Sequence, residues 1–264
     1  MTAARLHVIT ARDTPAAVIL RRGPSRFVAA IGWDRAGHEF RIGQWLKGRI
    51  YEHRSDLSPD GRHLVCFAGK GASHWWTAVS RAPFLRAIAF MPQSSTWFGG
   101  GAFTPAGEIW LNGGGAWPDD AQDALRPADG RAFPHSTDGF HMGGLYPAMM
   151  QARGWRIVAG EGYDTIMTRD LPGGGRLELA FAVGARDRSI LSNRYAIVGA
   201  DGRRCDCPDW EWADLWQDRL QFAARGGLYE TPAGHPTGED ATLLRDFSDM
   251  SYQEIAAPYE GCAR

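Results

Sequence analysis

A short turn sequence that recurs along the chain constrains the fold more than any other feature. Its clearest copy lies at 56–67, where Pro59 sets φ for a turn and the pair Asp60-Gly61 tolerates positive φ. Residues 63–67 then continue as a short, mostly apolar run. The sequence therefore predicts two strands joined by a tight turn.

The same pattern returns three times, at 103–111, 170–181 and, more loosely, 214–222. Two of the intervals between successive copies are each about 45 residues, and the middle interval is longer by about 20 residues, the size of an insertion. Repeats of this length that are built from short strands indicate a solenoid or a propeller.

Counting strands around the repeats predicts the architecture. The first repeat has three strands after position 16, the second has four antiparallel strands, and the residues at 252–257 form one strand more. A propeller would leave unpaired backbone between its first and last blades, and a returning strand closes that seam. We therefore predict an all-β, five-bladed β-propeller in a single domain, 1–264, closed by the C-terminal strand.

The third repeat is interrupted by a stretch rich in Gly, Pro and Asp, at about 113–144. Long loops inside compact domains are uncommon and are usually functional or disordered. We predict that this stretch is a long loop insertion.

The net charge, the N-terminal residues and the cysteine spacing limit which partners and which cell compartment the sequence predicts. The net charge is −1, so no basic surface predicts nucleic acid or an acidic membrane as partner. Residues 1–22 contain no uninterrupted apolar core, and no apolar run is long enough to span a membrane. The spacing of the 4 cysteines does not match a zinc site. The sequence therefore predicts a cytoplasmic protein with free thiols.

The run Ser58-Pro59-Asp60-Gly61-Arg62 resembles the WD40-like repeat of TolB-type β-propellers, in which a Ser-Pro-Asp-Gly turn joins the first two strands of each blade. The stretch 43–51 also resembles a bacterial family of uncharacterised propeller-like proteins. Both resemblances imply the propeller architecture and neither implies an activity.

Three carboxylates occupy the same position of the repeat, ahead of the turn: Asp56, Asp170 and Asp214. Repeat symmetry could gather them at the mouth of a central channel, where they would bind a cation or act as acid and base on a glycan. Alternatively, each accepts backbone hydrogen bonds from its own turn.

The predicted loop contains His135, Asp138 and His141 within a short stretch. Imidazole and carboxylate ligands suit Zn²⁺ or Fe²⁺, so a divalent metal is the cofactor this loop would hold. In the alternative interpretation, these side chains form hydrogen bonds within the loop.

Tryptophan is abundant, with 11 residues. Aromatic side chains can form a stacking surface for a sugar or a peptide, or can fill the space between packed sheets. The candidates for the stacking surface are Trp75, Trp97, Trp110 and Trp117.

These observations favour a non-catalytic, cytoplasmic propeller that binds a protein or peptide partner through one face and the 113–144 loop. One alternative is a glycan-active enzyme, similar to a glycoside hydrolase, that uses Asp56, Asp170 and Asp214. The other is a metal-dependent enzyme that uses His135, Asp138 and His141.

Overall fold

The chain divides into two compact units. Unit 1 comprises Met1–His7 with Met142–Met250, and unit 2 comprises Val8–His141 with Ser251–Arg264. The structure, a computed structural model, describes six stretches of the chain: 4–23, 26–113, 115–134, 142–183, 191–234 and 240–259.

The first sheet is a four-stranded meander in the order β1-β2-β3-β4. Its interior is apolar, with Val18, Ile19 and Ile31 fully buried. Its strands are β1 (Arg5–Thr10), β2 (Ala16–Arg22), β3 (Phe27–Asp34) and β4 (Glu39–Lys47).

The predicted closing strand at 252–257 is wrong. The first sheet takes its outer strand from β1, and the described C-terminal residues 251–259 form no strand. Burial explains the difference, because Leu6, Val8 and Ile9 are all buried in β1 whereas residues 251–254 are exposed. The N-terminal strand therefore removes more apolar surface from water than the C-terminal segment could.

The second sheet contains five strands and lies in unit 2. Its main order is β5-β7-β8-β9, with β6 also paired to β7. A 3₁₀ turn, Glu52–Arg54, separates β5 from β6. The strands are β5 (Arg49–Ile50), β6 (Asp56–Leu57), β7 (His63–Lys70), β8 (His74–Arg81) and β9 (Ala87–Gln93).

A two-stranded ribbon follows, formed by β10 (Gly101–Phe103) and β11 (Ile109–Leu111). Phe103 and Ile109 of this ribbon pack with Val65 and Val79 of the second sheet in one apolar cluster. The ribbon therefore covers one face of the second sheet.

The predicted tight turn is present between β6 and β7. Ser58 N–H donates to His63 O at 2.8 Å, and Gly61 N–H donates to Ser58 O at 2.9 Å. Gly61 has a φ of 77°, and a Cβ at this position would lie 2.4 Å from the Ala16 side chain. Glycine is required here both by the backbone conformation and by the contact.

Unit 1 contains one helix and two sheets among its described residues. The helix, α1 (Met142–Gln151), buries Leu145, Tyr146, Met149 and Met150, whose spacing places them on one helical face. The third sheet has the order β12-β13-β14-β15-β16 and the fourth β17-β18-β19-β20. Their strands are β12 (Arg156–Glu161), β13 (Asp164–Asp170), β14 (Arg176–Val183), β15 (Leu191–Val198), β16 (Arg204–Cys207), β17 (Trp210–Trp216), β18 (Arg219–Ala224), β19 (Gly227–Pro232) and β20 (Thr242–Asp246).

The prediction of an all-β chain built of blade-like antiparallel meanders is confirmed, and the predicted number of five blades is wrong. Four blade-like meanders are present among the described residues. Among the described residues, the third repeat keeps only the ribbon β10–β11, because Met142–Gln151 form α1 and Arg156–Glu161 form β12 of the next sheet.

Each copy of the recurrent turn connects two paired antiparallel strands. The pairs are β6–β7, β10–β11, β13–β14 and β17–β18. The repeat was thus read correctly as strand–turn–strand. Among the described residues, no helix has the length and apolar character needed to cross a membrane.

Candidate functional site

The most unusual surface feature of unit 2 is a pair of aromatic side chains on the loop between β9 and β10. We call residues 94–100 the tryptophan loop. Trp97 is 58% exposed and Phe98 is 38% exposed. Large aromatic side chains stabilise a fold when they are buried, so an exposed adjacent pair contributes little to stability in this state.

A buried arginine holds the backbone of this loop from beneath. The Arg54 side chain donates through Nη1 to Thr96 O at 2.6 Å and to Phe98 O at 3.5 Å, on both sides of Trp97. Arg54 is only 3% exposed. A buried guanidinium is costly unless acceptors and polarisable groups surround it, so these carbonyl contacts are structurally important.

Two aromatic rings complete the environment of the guanidinium. Its central carbon lies 5.0 Å from the Phe67 ring centroid and 5.8 Å from that of Tyr51. These distances are within the range of cation–π attraction. Residue types alone did not indicate this role, since an arginine in a short polar turn usually lies at the surface.

Glycines allow the loop to approach Arg54 closely. Gly100 has a φ of 81°, and a Cβ there would lie 2.3 Å from Arg54 O. A Cβ at Gly113 would lie 2.1 Å from the Phe98 ring. The run Gly99-Gly100-Gly101 was the one sequence signal that a close backbone contact occurs at this place.

Asn112 fixes the end of the loop through backbone and side chain together. Gly99 N–H donates to Asn112 O at 3.1 Å, and Asn112 N–H donates to Gly100 O at 2.9 Å. The Asn112 side-chain amide also donates to Gly99 O at 3.0 Å. The loop is therefore held on both sides of Trp97 by Arg54 and at its end by Asn112, and it presents Trp97 in a defined position.

Of the four predicted stacking residues, Trp97 is the one exposed. Trp110 is buried and donates through Nε1 to Gly130 O at 2.8 Å. Trp117 packs against the cluster between the second sheet and the ribbon, and Trp75 lies against Gly69. A ligand-binding role for the four tryptophans stays a prediction.

The three predicted carboxylates have different local surroundings. Asp56 is buried and accepts hydrogen bonds from Leu57 N at 2.8 Å and from Phe103 N at 2.7 Å, so it joins the second sheet to the ribbon. Asp170 is exposed, and a two-pronged interaction with Arg156 lowers its pKa. A catalytic role for these residues stays a prediction.

Asp214 belongs to a buried polar row in unit 1 that the sequence did not reveal. It accepts a 2.5 Å hydrogen bond from Arg169 Nη1 and lies opposite Gln221, which lies opposite Glu230 in the next strand. Gln221 donates to Glu230 Oε2 at 2.7 Å, and Arg219 donates to its Oε1 at 3.0 Å. Each carboxylate of the row is thus paired with an arginine.

Another charged cluster, which lies in unit 2, connects the predicted 113–144 loop to the recurrent turn. Asp123 accepts from Arg81 Nε at 2.7 Å, and His63 Nε2 lies 3.0 Å from the same carboxylate oxygen. The hydrogen bond from Arg81 is the main reason that the pKa of Asp123 is lowered to about 2. The carboxylate is therefore ionised throughout the neutral range.

The predicted metal ligands His135, Asp138 and His141 lie outside the described residues. Within the described stretches, no group of three or more His, Cys, Asp or Glu side chains could hold a metal ion. Cys66, Cys205 and Cys207 are free thiols, and burial raises the pKa of Cys66 to about 12.

No protein-family model matches the chain, and no curated protein matches it. Among solved structures, it is similar to the protein lmo1340 from Listeria monocytogenes, with 9% identity, 93% of this chain and 84% of that chain covered, and a TM-score of 0.34. It is also similar to the β-propeller domain of the Trilobed protease from Pyrococcus furiosus, with 9% identity, 94% and 100% coverage, and a TM-score of 0.34.

A third similarity is to a prolyl endopeptidase, with 10% identity and a TM-score of 0.22, and it covers 90% of this chain and 42% of that one. At these TM-scores and identities, the three similarities establish neither a family nor an activity.

Proposed function

We propose that this protein binds a protein or peptide partner without catalysing a reaction on it, and that Trp97 and Phe98 form the centre of the contact. The observation that carries the proposal is the exposed aromatic pair on a loop whose backbone is held by buried Arg54. Tryptophan is enriched among the residues that dominate binding energy at protein interfaces.

Pre-organisation supports a binding role for this loop. Binding costs free energy for every side chain or loop that must be ordered, and a loop that is already held avoids most of that cost. Arg54 and Asn112 hold the tryptophan loop in the unbound protein. The cost of ordering is therefore met during folding, and partner contact through Trp97 gains the burial of the exposed part of the indole.

The neighbouring part of the predicted 113–144 loop is held close to the same surface. Gly113 lies against the Phe98 ring, and farther along the loop Ala128 N–H donates to Ile109 O at 2.8 Å. We propose that residues 115–134 of this loop form the border of the partner site. The net charge of −1 supports a protein or peptide over nucleic acid or an acidic membrane.

Two further parts of the proposal concern the class of propeller to which the protein belongs and the cell compartment in which it is located. The hydrogen-bonded Ser58–Gly61 turn supports membership of the WD40-like, TolB-type class of propellers. The free thiols of Cys66, Cys205 and Cys207 support a cytoplasmic location, since thiols persist in reducing compartments. Fractionation of the native host, with the protein followed by antibody, tests the location.

Selection of peptides from a displayed library on the purified full chain tests the binding function. We expect selected peptides whose affinity falls at least about 30-fold with Trp97→Ala, the loss typical of an interface hot spot. The matched control is Phe90→Ala, because Phe90 is also exposed, at 49%, but lies on β9 outside the loop.

Equal losses for Trp97→Ala and Phe90→Ala would contradict the assignment of the site. A glycan array screened in parallel provides the other decisive outcome. Binding of a sugar that depends on Trp97, with no peptide selected, would replace the peptide proposal with a glycan-binding one.

A further inference from the structure

Residues 251–259, which we call the C-terminal segment, lie on the surface of unit 2 without joining a sheet. Most of their side chains are exposed, and Ala257 is the one buried residue among them. Strands are held by a ladder of backbone hydrogen bonds, whereas this segment is held at a few separate points.

The first point of attachment is Tyr252. Its ring centroid lies 4.6 Å from that of Phe27 and 6.2 Å from that of Trp45, which meets it edge-on. Phe27 begins β3 and Trp45 lies near the end of β4, so two adjacent strands form an aromatic slot. Ring contacts at these distances are favourable beyond the area that they bury.

The second point is the backbone at Ile255. The Gln44 side chain donates through Nε2 to Ile255 O at 2.9 Å. Its Oε1 accepts from Leu85 N at 2.9 Å and from Arg86 N at 2.8 Å. One amide side chain thus connects β4, the turn at 82–86 and the C-terminal segment.

The third point is Tyr259. Its ring lies 4.7 Å from the Arg81 guanidinium carbon and 6.2 Å from the Phe84 ring centroid, in an edge-on arrangement. Its hydroxyl donates to Arg86 O at 2.8 Å. Partial burial raises the pKa of this hydroxyl, so it remains a donor in the neutral range.

The receiving surface is held together by contacts that do not involve the segment. Gln44 bonds the 82–86 turn, and Gly43 brings that turn so close that a Cβ would lie 2.0 Å from Pro83 O. Arg81 is oriented by Asp123. The slot, the amide and the tyrosine site would therefore persist after the segment has left.

We propose that this surface is a peptide-binding groove, distinct from the tryptophan loop, whose resident ligand is the C-terminal segment of the same chain. Its ligand class is an extended peptide with two aromatic side chains seven residues apart, as Tyr252 and Tyr259 are, and a free backbone carbonyl between them. The segment occupies the groove as a tethered, exchangeable peptide.

The test uses the full chain with a protease site inserted between Met250 and Ser251 and cut after folding. We expect the cut segment to co-elute with the body of the protein on gel filtration. A fluorescent synthetic peptide of residues 251–259 should then replace it saturably. The peptide with Tyr259→Ala should bind at least about tenfold more weakly, because it lacks the ring and the hydroxyl contact.

Matched controls identify the contacts. The peptide with Glu254→Ala should bind unchanged, since Glu254 is exposed. Gln44→Ala in the protein should lower the affinity for the parent peptide about fivefold, because the hydrogen bond to Ile255 O is lost. Trp97→Ala should leave exchange unchanged, which separates this groove from the proposed partner site.

The proposal is overturned if the labelled peptide does not bind to folded, cut protein, or if the Tyr259→Ala and Glu254→Ala peptides bind equally well. If cutting unfolds the protein, hydrogen exchange on the uncut chain decides. The proposal is supported if the amides of residues 251–259 exchange together and before those of β4. It is rejected if they exchange only on global unfolding.

Discussion

The tryptophan loop and the C-terminal segment are both irregular, both in unit 2 and both rich in aromatic residues, yet they are attached in opposite ways. The tryptophan loop is held by its backbone, through carbonyls bound to Arg54, and its Trp97 and Phe98 side chains are exposed. The C-terminal segment is held mainly by its side chains, through Tyr252 and Tyr259, and most of its residues remain exposed.

This difference indicates which segment receives a ligand and which one behaves as a ligand. A backbone that is fixed leaves the side chains available to a partner, and the loop becomes part of a binding site. A segment anchored by separate side chains has the contacts of a bound peptide. The following predictions test this comparison, from the largest expected effect to the smallest.

Replacing Arg54 should have the largest effect on stability. Arg54→Ala leaves the Thr96 and Phe98 carbonyls without their buried donor and opens space beside Phe67, so we expect a loss of about 3 kcal/mol in the free energy of unfolding. Urea unfolding measures it. Arg22→Ala, which breaks a partly exposed pair with Glu52, should cost less than about 1 kcal/mol. Equal losses would show that Arg54 does not hold the loop.

A matched pair of glycines separates steric contact from backbone conformation. Gly100 and Gly107 have the same φ, 81°, but a Cβ at Gly107 meets no atom within 4 Å. We expect Gly107→Ala to lower the free energy of unfolding by about 1 kcal/mol and Gly100→Ala to lower it by about 2–3 kcal/mol. The difference arises because only the Cβ added at position 100 collides with Arg54 O. Identical melting temperatures for the two variants would argue against the close approach of the loop.

Removing one exposed aromatic from each segment compares the two modes of attachment directly. Trp97→Ala should change the free energy of unfolding by less than about 0.5 kcal/mol, as expected for an exposed side chain. Tyr252→Ala should lower the free energy of unfolding by about 1 kcal/mol. Tyr252 is 50% exposed, but its ring contacts Phe27 and Trp45. Calorimetry on both variants provides the measurement, and a reversed order would contradict the comparison.

Acid should reveal the smallest effect, at the charged cluster beneath Tyr259. The folded-state pKa of Asp123 is about 2, below the value near 3.9 of an unfolded aspartate. Its stabilising contribution is therefore present above about pH 4 and is lost as the pH falls through about 2. The urea midpoints of the parent protein and Asp123→Asn should converge over that interval. Parallel midpoints at pH 5 and pH 2 would be inconsistent with this assignment.

The recurrent turn was the part of the fold most open to prediction from sequence. Proline and glycine restrict the backbone locally, so the turn at Gly61 and the pairing of its flanking strands followed from residue types alone. Trp97 was also identified as a candidate. Arg54 was missed, because its burial depends on glycines and carbonyls more than 40 residues away along the chain.

For a similar reason, the sequence alone could not assign residues 145–150 to a strand or to a helix. Apolar residues at Leu145, Tyr146, Met149 and Met150 fit a helix face, but Pro147 made the stretch ambiguous at the sequence level. The prediction of a C-terminal strand failed because β1 forms the sheet edge to which that strand was assigned. β1 is largely buried there, and burial is a property of the assembled chain.

The order of amino acids alone determined an all-β chain of short antiparallel strands with repeated glycine turns, since these features arise from contacts between near neighbours. Only the tertiary structure decided that the described residues form four blade-like sheets, which strand forms the outer edge of the first, and which aromatic side chains reach solvent. Those outcomes depend on which distant segments exclude water together, and a buried guanidinium or an aromatic slot exists only once the sheets have packed.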